Sequence, residues 1–449
     1  MSEDSRIVEG PLAAKEEGVA LISAVNVFTP ATEVQDLERF AGREEELQTL
    51  GRALESEGVQ IAIYGNRGIG KSSLARLLER MASGDVQVLD RLRARPGVDF
   101  DFLTVFFRCD DSVTTIPRLL LRLLSDEDAL APWVPFRVVK REGGDETSGK
   151  LDVKVISLGG STKSSITEAA QEMETDVVSV FNNALRTIRE SGAAKSGVLL
   201  IIDEVDRIKD RTGLASLLKT LGPQGVTFAL VGVATTIQEL ITEHESVARQ
   251  LTDGAVLVPP MSEKEMNEII DRAEALLEHR YRFDPEARAW IARIARGHPF
   301  YVHLVGKHSL LKTIDLRQTV VTKQIAEQAL REIALKGSAP VQEASYKTAI
   351  GHSHTREYVL KAFAEVADDE IHTTELYAGI AKSLGTDVNA ISVYVGHLAS
   401  DKFGAVLARS RERYYRFRDS LFKAYAAARP YQLKPGDDQD DVEVDEPVE

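Results

Sequence analysis

The chain has 449 residues, too many for one hydrophobic core, and its 43% apolar and 28% charged residues fit an ordinary globular protein of two or three domains. The formal charge of -15 is unevenly placed: about half lies in Asp437 to Glu449, a run rich in acids with no basic residue, so the body is only mildly acidic. That balance argues against wholesale nonspecific nucleic-acid binding and leaves room for a local basic patch. A single cysteine, Cys109, excludes an internal disulfide framework.

The N-terminal MSEDSRIVEG lacks the basic and apolar regions of a secretory signal, and no apolar run approaches a membrane span, so a cytoplasmic protein with no membrane partner is expected. Residues 1–34 are polar and mixed, and are expected to form a loosely held arm. Leu47, Leu50 and Leu54 recur at helical spacing between Arg43 and Glu55, with FAGRE at Phe40 to Glu44 in front of them.

The apolar run Val59 to Tyr64 then leads into GNRGIGKS, Gly65 to Ser72, and on to an amphipathic stretch, Ser73 to Met81. Strand, glycine-rich loop and helix in that order predict a phosphate site. The glycines let backbone N–H groups point inward, and the helix adds its positive end. Gly65, Asn66, Arg67, Gly68, Ile69, Gly70, Lys71, Ser72 and Ser73 are the expected nucleotide-binding residues. Lys71 reaches the β- and γ-phosphates, and the Ser72 hydroxyl holds Mg²⁺.

Phe102 to Arg108 reads as a buried strand, and Val113 to Leu124 has helical spacing. Between residues 125 and 165 two alternating runs, Phe136 to Val139 and Leu151 to Leu158, flank a GGDETSG tract, the pattern of a β-hairpin insertion. Ile166 to Glu190 reads as one long helix, Val198 to Ile202 as a strand ending in Asp203 and Glu204, and Leu214 to Leu221 as a helix. Val226 to Val233 and Ala255 to Val258 complete a strand–helix alternation that predicts a parallel sheet with helices on both faces. Its ligand belongs beyond the carboxyl ends of the strands.

After Pro259-Pro260 only helical periodicity remains, from Glu263 to Leu335. Thr355 to Arg429 then shows three helix-sized patterns followed by an alternating ribbon, Gly404 to Arg418, the element order of a winged helix.

LLIIDEVD, Leu199 to Asp206, delivers two acids at a strand end. Asp203 is expected to orient water on Mg²⁺, and Glu204 to polarise the attacking water. Thr235, after the Phe228 to Val233 strand, either senses the γ-phosphate or caps the next helix. Arg249 is either an arginine finger acting in trans or a surface arginine. Arg409, Arg411, Arg413, Arg416 and Arg418 cluster in the ribbon, whereas the recognition-helix candidate, Asp387 to Ser400, has no Lys or Arg and offers Asn389, Ser392, Tyr394 and His397. The wing therefore suits either DNA phosphates or a protein partner.

FAGREEEL, GNRGIGKS, LLIIDEVD, the Arg249 segment and VPPMSEKEMNEII follow the order seen in AAA+ proteins. They most resemble the branch shared by origin-recognition initiator ATPases, archaeal-type ATPases and STAND signal-transducing NTPases. GHP, Gly297 to Pro299, resembles the G-x-P element of STAND lids, and YYRFRDSLFKAY, Tyr414 to Tyr425, resembles the end of the winged helix in these ATPases. The resemblance implies that Phe40, Gly42 and Arg43 flank the nucleotide base, and that His298 and Pro299 close over it.

It departs from many AAA+ members where Ala234-Thr235-Thr236 replaces the usual Asn and where no lid arginine is evident. Both departures point to a slow switch rather than fast turnover. The expected organisation is arm 1–34, P-loop ATPase core 35–260, helical lid 261–340, winged helix 345–430 and disordered acidic tail 431–449. The expected function is an ATP- and Mg²⁺-dependent switch governing self-assembly or protein recognition. The alternatives are a DNA-binding initiator or loader, and an adaptor that holds nucleotide without hydrolysis.

Overall fold

The computed structural model describes residues 25–92, 95–134, 136–140, 152–157, 173–193, 195–241, 244–336, 340–366, 368 and 370–435. The chain divides into two compact units, 33–259 and a second made of 1–32 with 260–449. The GGDETSG tract and the acidic run Asp437 to Glu449 lie outside the described residues.

The first unit is built on five parallel strands, β1 (Ile61–Gly65), β2 (Phe102–Arg108), β6 (Gly197–Asp203), β7 (Val226–Val233) and β8 (Ala255–Leu257), in the order β2-β6-β7-β1-β8. Alternation along the strands feeds two cores. Leu199 and Ile201 of β6 face α1 (Glu44–Glu55) and α2 (Lys71–Ala82). Val198, Leu200 and Ile202 face α3 (Ile116–Ser125), α4 (Val177–Glu190) and α5 (Leu214–Leu221). This is an α/β sheet with helices on both faces. Helix α2 buries Leu74, Leu77, Leu78 and Met81 completely; each such side chain contributes roughly 1.5–3 kcal/mol of burial. The loop preceding α2 is therefore mounted on a rigid element.

Three antiparallel strands, β3 (Phe136–Lys140), β4 (Asp152–Ser157) and β5 (Met173–Asp176), form a separate small sheet. The periodicity of Ile166 to Glu190 suggests one helix, yet residues 173–176 pair with β4 and the helix starts at Val177. Asp176 explains the boundary: its carboxylate accepts from the Val178 N–H and caps the helix there.

In the second unit, α7 (Glu263–Leu276), α8 (Pro285–Ala295), α9 (Pro299–Asp315) and α10 (Lys323–Lys336) pack together. Helix α7 opens with a complete capping box of Ser262 and Glu265. Where only helices are expected, Arg282–Phe283 and Val320–Val321 also form a two-residue parallel ladder, β9 with β10. Within the expected arm, Val27 and Phe28 are buried. The Phe28 ring meets Phe283 and His303 edge-on at 5.9 and 6.0 Å. A Cβ at Gly306 would lie 2.8 Å from that ring, so the glycine makes room for it.

Next come α11 (Pro340–Ile350), α12 (His354–Glu365), β11 (Ile371–His372), α13 (Thr373–Leu384), α14 (Val388–Ala399), β12 (Leu407–Arg411), β13 (Tyr414–Phe417) and α15 (Ser420–Ala428). The three strands pair antiparallel in the order β11-β13-β12. Glu412 and Arg413 make the hairpin turn, with Arg413 at φ 62°. Among the described residues, no helix is long and apolar enough to cross a membrane.

Candidate functional site

Strand β1 ends at Gly65, where a Cβ would sit 2.8 Å from the Val258 carbonyl oxygen, so only glycine fits the exit. Gly70, at φ 98°, adopts the left-handed turn that starts α2, and its carbonyl accepts from Leu74 N–H. Fully buried Ile69 pins the loop to the core between them. Asn66, Gly68, Gly70 and Ser72 are half-buried, and Arg67 is exposed.

Lys71 is the first residue of α2 and is only 8% exposed. Its Nζ donates to the carbonyls of Gly65 (3.0 Å) and Asn66 (2.8 Å). Burial pushes the lysine down to about 8, against the opposing pull of the Asp206 and Asp203 charges. Ser73, grouped with the binding loop by sequence, turns its hydroxyl elsewhere and accepts from Val34 N–H at 2.9 Å.

Asp203 ends β6 and is 2% exposed. Its Oδ1 accepts from Glu204 N–H at 2.9 Å, and its Oδ2 faces Arg108 Nε at 3.4 Å. Sheet register sets Arg108 beside Asp203. The same guanidinium pairs with Glu33 at 3.1 Å, and Glu33 also reaches Arg76 at 3.5 Å. The Glu204 backbone is left-handed, at φ 57°, and its carboxylate is paired with Arg207. Cys109, buried beside these acids, is pushed up to about 12, so its thiol stays protonated at neutral pH.

Two participants escape a reading of sequence alone. Asp206 is exposed, exerts the largest charge effect on Lys71, and accepts from Val233 N–H at 2.9 Å. Gly232 leaves it space, since a Cβ there would meet Asp206 Oδ1 at 2.9 Å. The DEVD run carried a signal for Asp206: the one-turn helix Val205–Arg207 returns the third residue after Asp203 toward the strand ends. Arg108 had no comparable signal, because its role depends on which strand lies next to β2.

The remaining expected residues are placed as follows. Phe40 is 4% exposed, within the core. Gly42 and Arg43 are left-handed, at φ 63° and 64°. Arg43, 4% exposed, donates to Ile69 O (3.0 Å) and Pro259 O (2.8 Å), and pairs with Glu46 (3.0 Å). It clamps the loop from behind. Thr235, just past the end of β7, gives its N–H and hydroxyl to the Glu239 carboxylate at 2.8 and 2.7 Å, while Thr236, at the start of the next short helix, makes no side-chain cap bond. Arg249 is exposed in the last turn of α6 (His244–Leu251).

In the second unit, buried His298 precedes Pro299, the first residue of α9. Gly297 O accepts from Met261 N–H at 2.9 Å, so GHP forms a turn locked against the start of that unit.

Among the described residues, no group of three metal-ligating side chains occurs. Mg²⁺ carried by phosphates does not need one; it takes one or two carboxylates and keeps water. The Ser72 hydroxyl and the Asp203 carboxylate are hard oxygen donors suited to it. A deeply buried cation at the positive end of a helix, with two acids acting on it, forms a place where phosphate charge and metal charge fit together.

Residues 39–231 match the family model described as AAA ATPase domain. That match takes in the loop and both acid positions and spans less than half of the chain. No curated protein matches. Among solved structures, the chain is similar to the Thermotoga maritima RuvB Holliday junction branch migration motor (17% identity, 86% of this chain and 95% of that one, TM-score 0.42). It is also similar to Aeropyrum pernix ORC1 in complex with DNA (15%, 90% and 95%, TM-score 0.44) and to Drosophila ORC bound to DNA (14%, 96% and 96%, TM-score 0.40).

Proposed function

We propose that this chain is an ATP-binding molecular switch with slow Mg²⁺-dependent hydrolysis, in the manner of a STAND-like signalling ATPase. The observation that carries the reading is Lys71: buried, at a helix N-terminus, with only loop carbonyls as direct hydrogen-bond partners among the described residues, and two carboxylates acting on it. The family match over residues 39–231 supports it. The backbone of Gly65 to Ser72 cradles the phosphates, Lys71 neutralises them, and Ser72 with Asp203 holds the metal. Bound Mg²⁺ would spread charge from the transferring phosphoryl group.

Turnover is slow because both acids are already engaged. Glu204 is held by Arg207, and Asp203 by Arg108. Each partner must yield before its carboxylate can act on water or metal. Residues 261–340 as lid and 345–430 as winged helix are the proposed readers of nucleotide state, acting through a protein partner or self-assembly; Arg249 acting in trans belongs to the same proposal.

Equilibrium binding of labelled ATP tests the core of it: wild type binds and Lys71→Ala does not. Equal affinity in the two would end the assignment. Glu204→Gln is expected to bind ATP normally and to lose most turnover.

One observation favours a second reading, a DNA-binding initiator or loader. Arg409, Arg411, Arg413, Arg416 and Arg418 are all exposed on the β12–β13 ribbon or at its end. Duplex binding whose affinity falls steeply with salt would support it; no binding with ATP or ADP present would exclude it.

A further inference from the structure

The second unit contains a cavity of about 920 Å³ within residues 354–435, bounded by the starts of α12 and α14, the end of α13 and the segment after α15. That volume is of the size that holds a small organic ligand. Three tyrosines line it, Tyr358, Tyr394 and Tyr431, together with His354, Ser383 and Lys434. Tyr431 lies nearly parallel to His354 and to Tyr358, with interplanar angles of 30° and 28° and centroids 6.1 and 6.3 Å away. The residue remains 48% exposed. No carboxylate is among the described residues that line the cavity, and Lys434 brings an ammonium group to it.

The wall that carries Tyr431 is held by polar bonds. Glu357, fully buried, accepts the N–H groups of Gln432 (2.6 Å) and Leu433 (2.8 Å) as well as the Tyr346 hydroxyl (2.7 Å). Arg429 is gripped by Glu343 at 2.7 and 2.8 Å. Lys361 Nζ donates to Ala426 O at 3.1 Å and to Arg429 O. A terminal segment with no regular structure is thus fixed from both sides. The result is a half-exposed aromatic ring in one orientation, with little rotamer entropy left to lose on binding.

We propose that this cavity is a binding site for a planar aromatic anion of small-molecule size, stacked on Tyr431 with its negative group toward Lys434. Stacking supplies the affinity, and the cationic lining supplies the preference for charge. The site is separate from the phosphate loop and does not rest on the nucleotide reading.

The probe is 1-naphthoate, followed by saturation-transfer NMR on the full chain, with 1-naphthalenemethanol as the neutral counterpart. Transfer to naphthoate is expected, with the alcohol weaker by about fivefold for loss of one charge contact. Tyr431→Ala is expected to abolish transfer and Tyr431→Phe to retain it, since the ring does the stacking. Thermal melts confirm that both variants fold. Absence of transfer in wild type, or transfer undiminished in folded Tyr431→Ala, would overturn the site. Equal binding of the alcohol would overturn the charge assignment.

Discussion

Two buried lysines, one in each unit, show how the same chemical group serves opposite purposes. Lys361 is 5% exposed and gives its protons to the last carbonyls of α15, where the helix dipole welcomes a cation. Lys71 is 8% exposed and sits at the first turn of α2, where the dipole opposes a cation. Burial lowers the pKa of both. Lys361 thus satisfies a helix terminus and closes a network with Glu343, Glu357 and Arg429. Lys71 is held against the dipole, its burial offset in part by the Asp206 and Asp203 charges, and under the proposed function a bound phosphate supplies the remaining counter-charge. A buried charge that its own fold completes is structural; one that its fold leaves incomplete marks a site.

The largest effect should come from breaking the completed network. Glu343→Ala leaves Arg429 buried without its carboxylate, and is expected to cost about 3–5 kcal/mol. A lower denaturation midpoint for the second unit with unchanged ATP binding would agree; an unchanged midpoint would deny the network its structural role. Next comes Lys71→Ala, which should abolish measurable ATP binding, a loss on the order of a hundredfold or more as charge-assisted contacts worth about 3 kcal/mol disappear. Its melting temperature should equal or exceed that of wild type, because an unfavourably buried cation is gone. A clear drop in melting temperature would make Lys71 structural, like Lys361.

A pH series sharpens the contrast. Lys71 in the free protein titrates at about 8, and bound phosphate would raise that value. The protonated form binds, so ATP affinity is full below about pH 8 and falls above it, by up to about tenfold per pH unit. Calorimetry at pH 7, 8 and 9 checks this; a flat profile would mean that the lysine does not titrate in that range. The smallest effect belongs to Arg207→Ala, which frees Glu204 and should raise ATP turnover a few-fold, about 1 kcal/mol for a partly exposed pair. No rise in a steady-state phosphate-release assay would remove that pair from control of the rate.

Much of the first unit is legible from local pattern. The run Val59 to Tyr64, the glycine spacing of Gly65 to Gly70 and the amphipathic repeat after it specify strand, loop and helix through backbone freedom and apolar periodicity, which act over a few residues. The ending of β6 at Asp203 is legible for the same reason. The strand at Met173–Asp176 is not, since a cap at Asp176 and pairing with β4 override the helical spacing.

By itself, then, the sequence determined where the phosphate loop and the acid-tipped strand fall, because those depend on residues adjacent in the chain. Tertiary structure alone decided three sets of partners: Arg108 on Asp203, Asp206 acting on Lys71, and Arg43 on the Ile69 and Pro259 carbonyls. These join segments distant in the chain and exist only once strand order and register bring them together, whereas the Thr235 contact with Glu239 is local. Electrostatic interaction depends on distance and burial, and neither is written in any one stretch of chain.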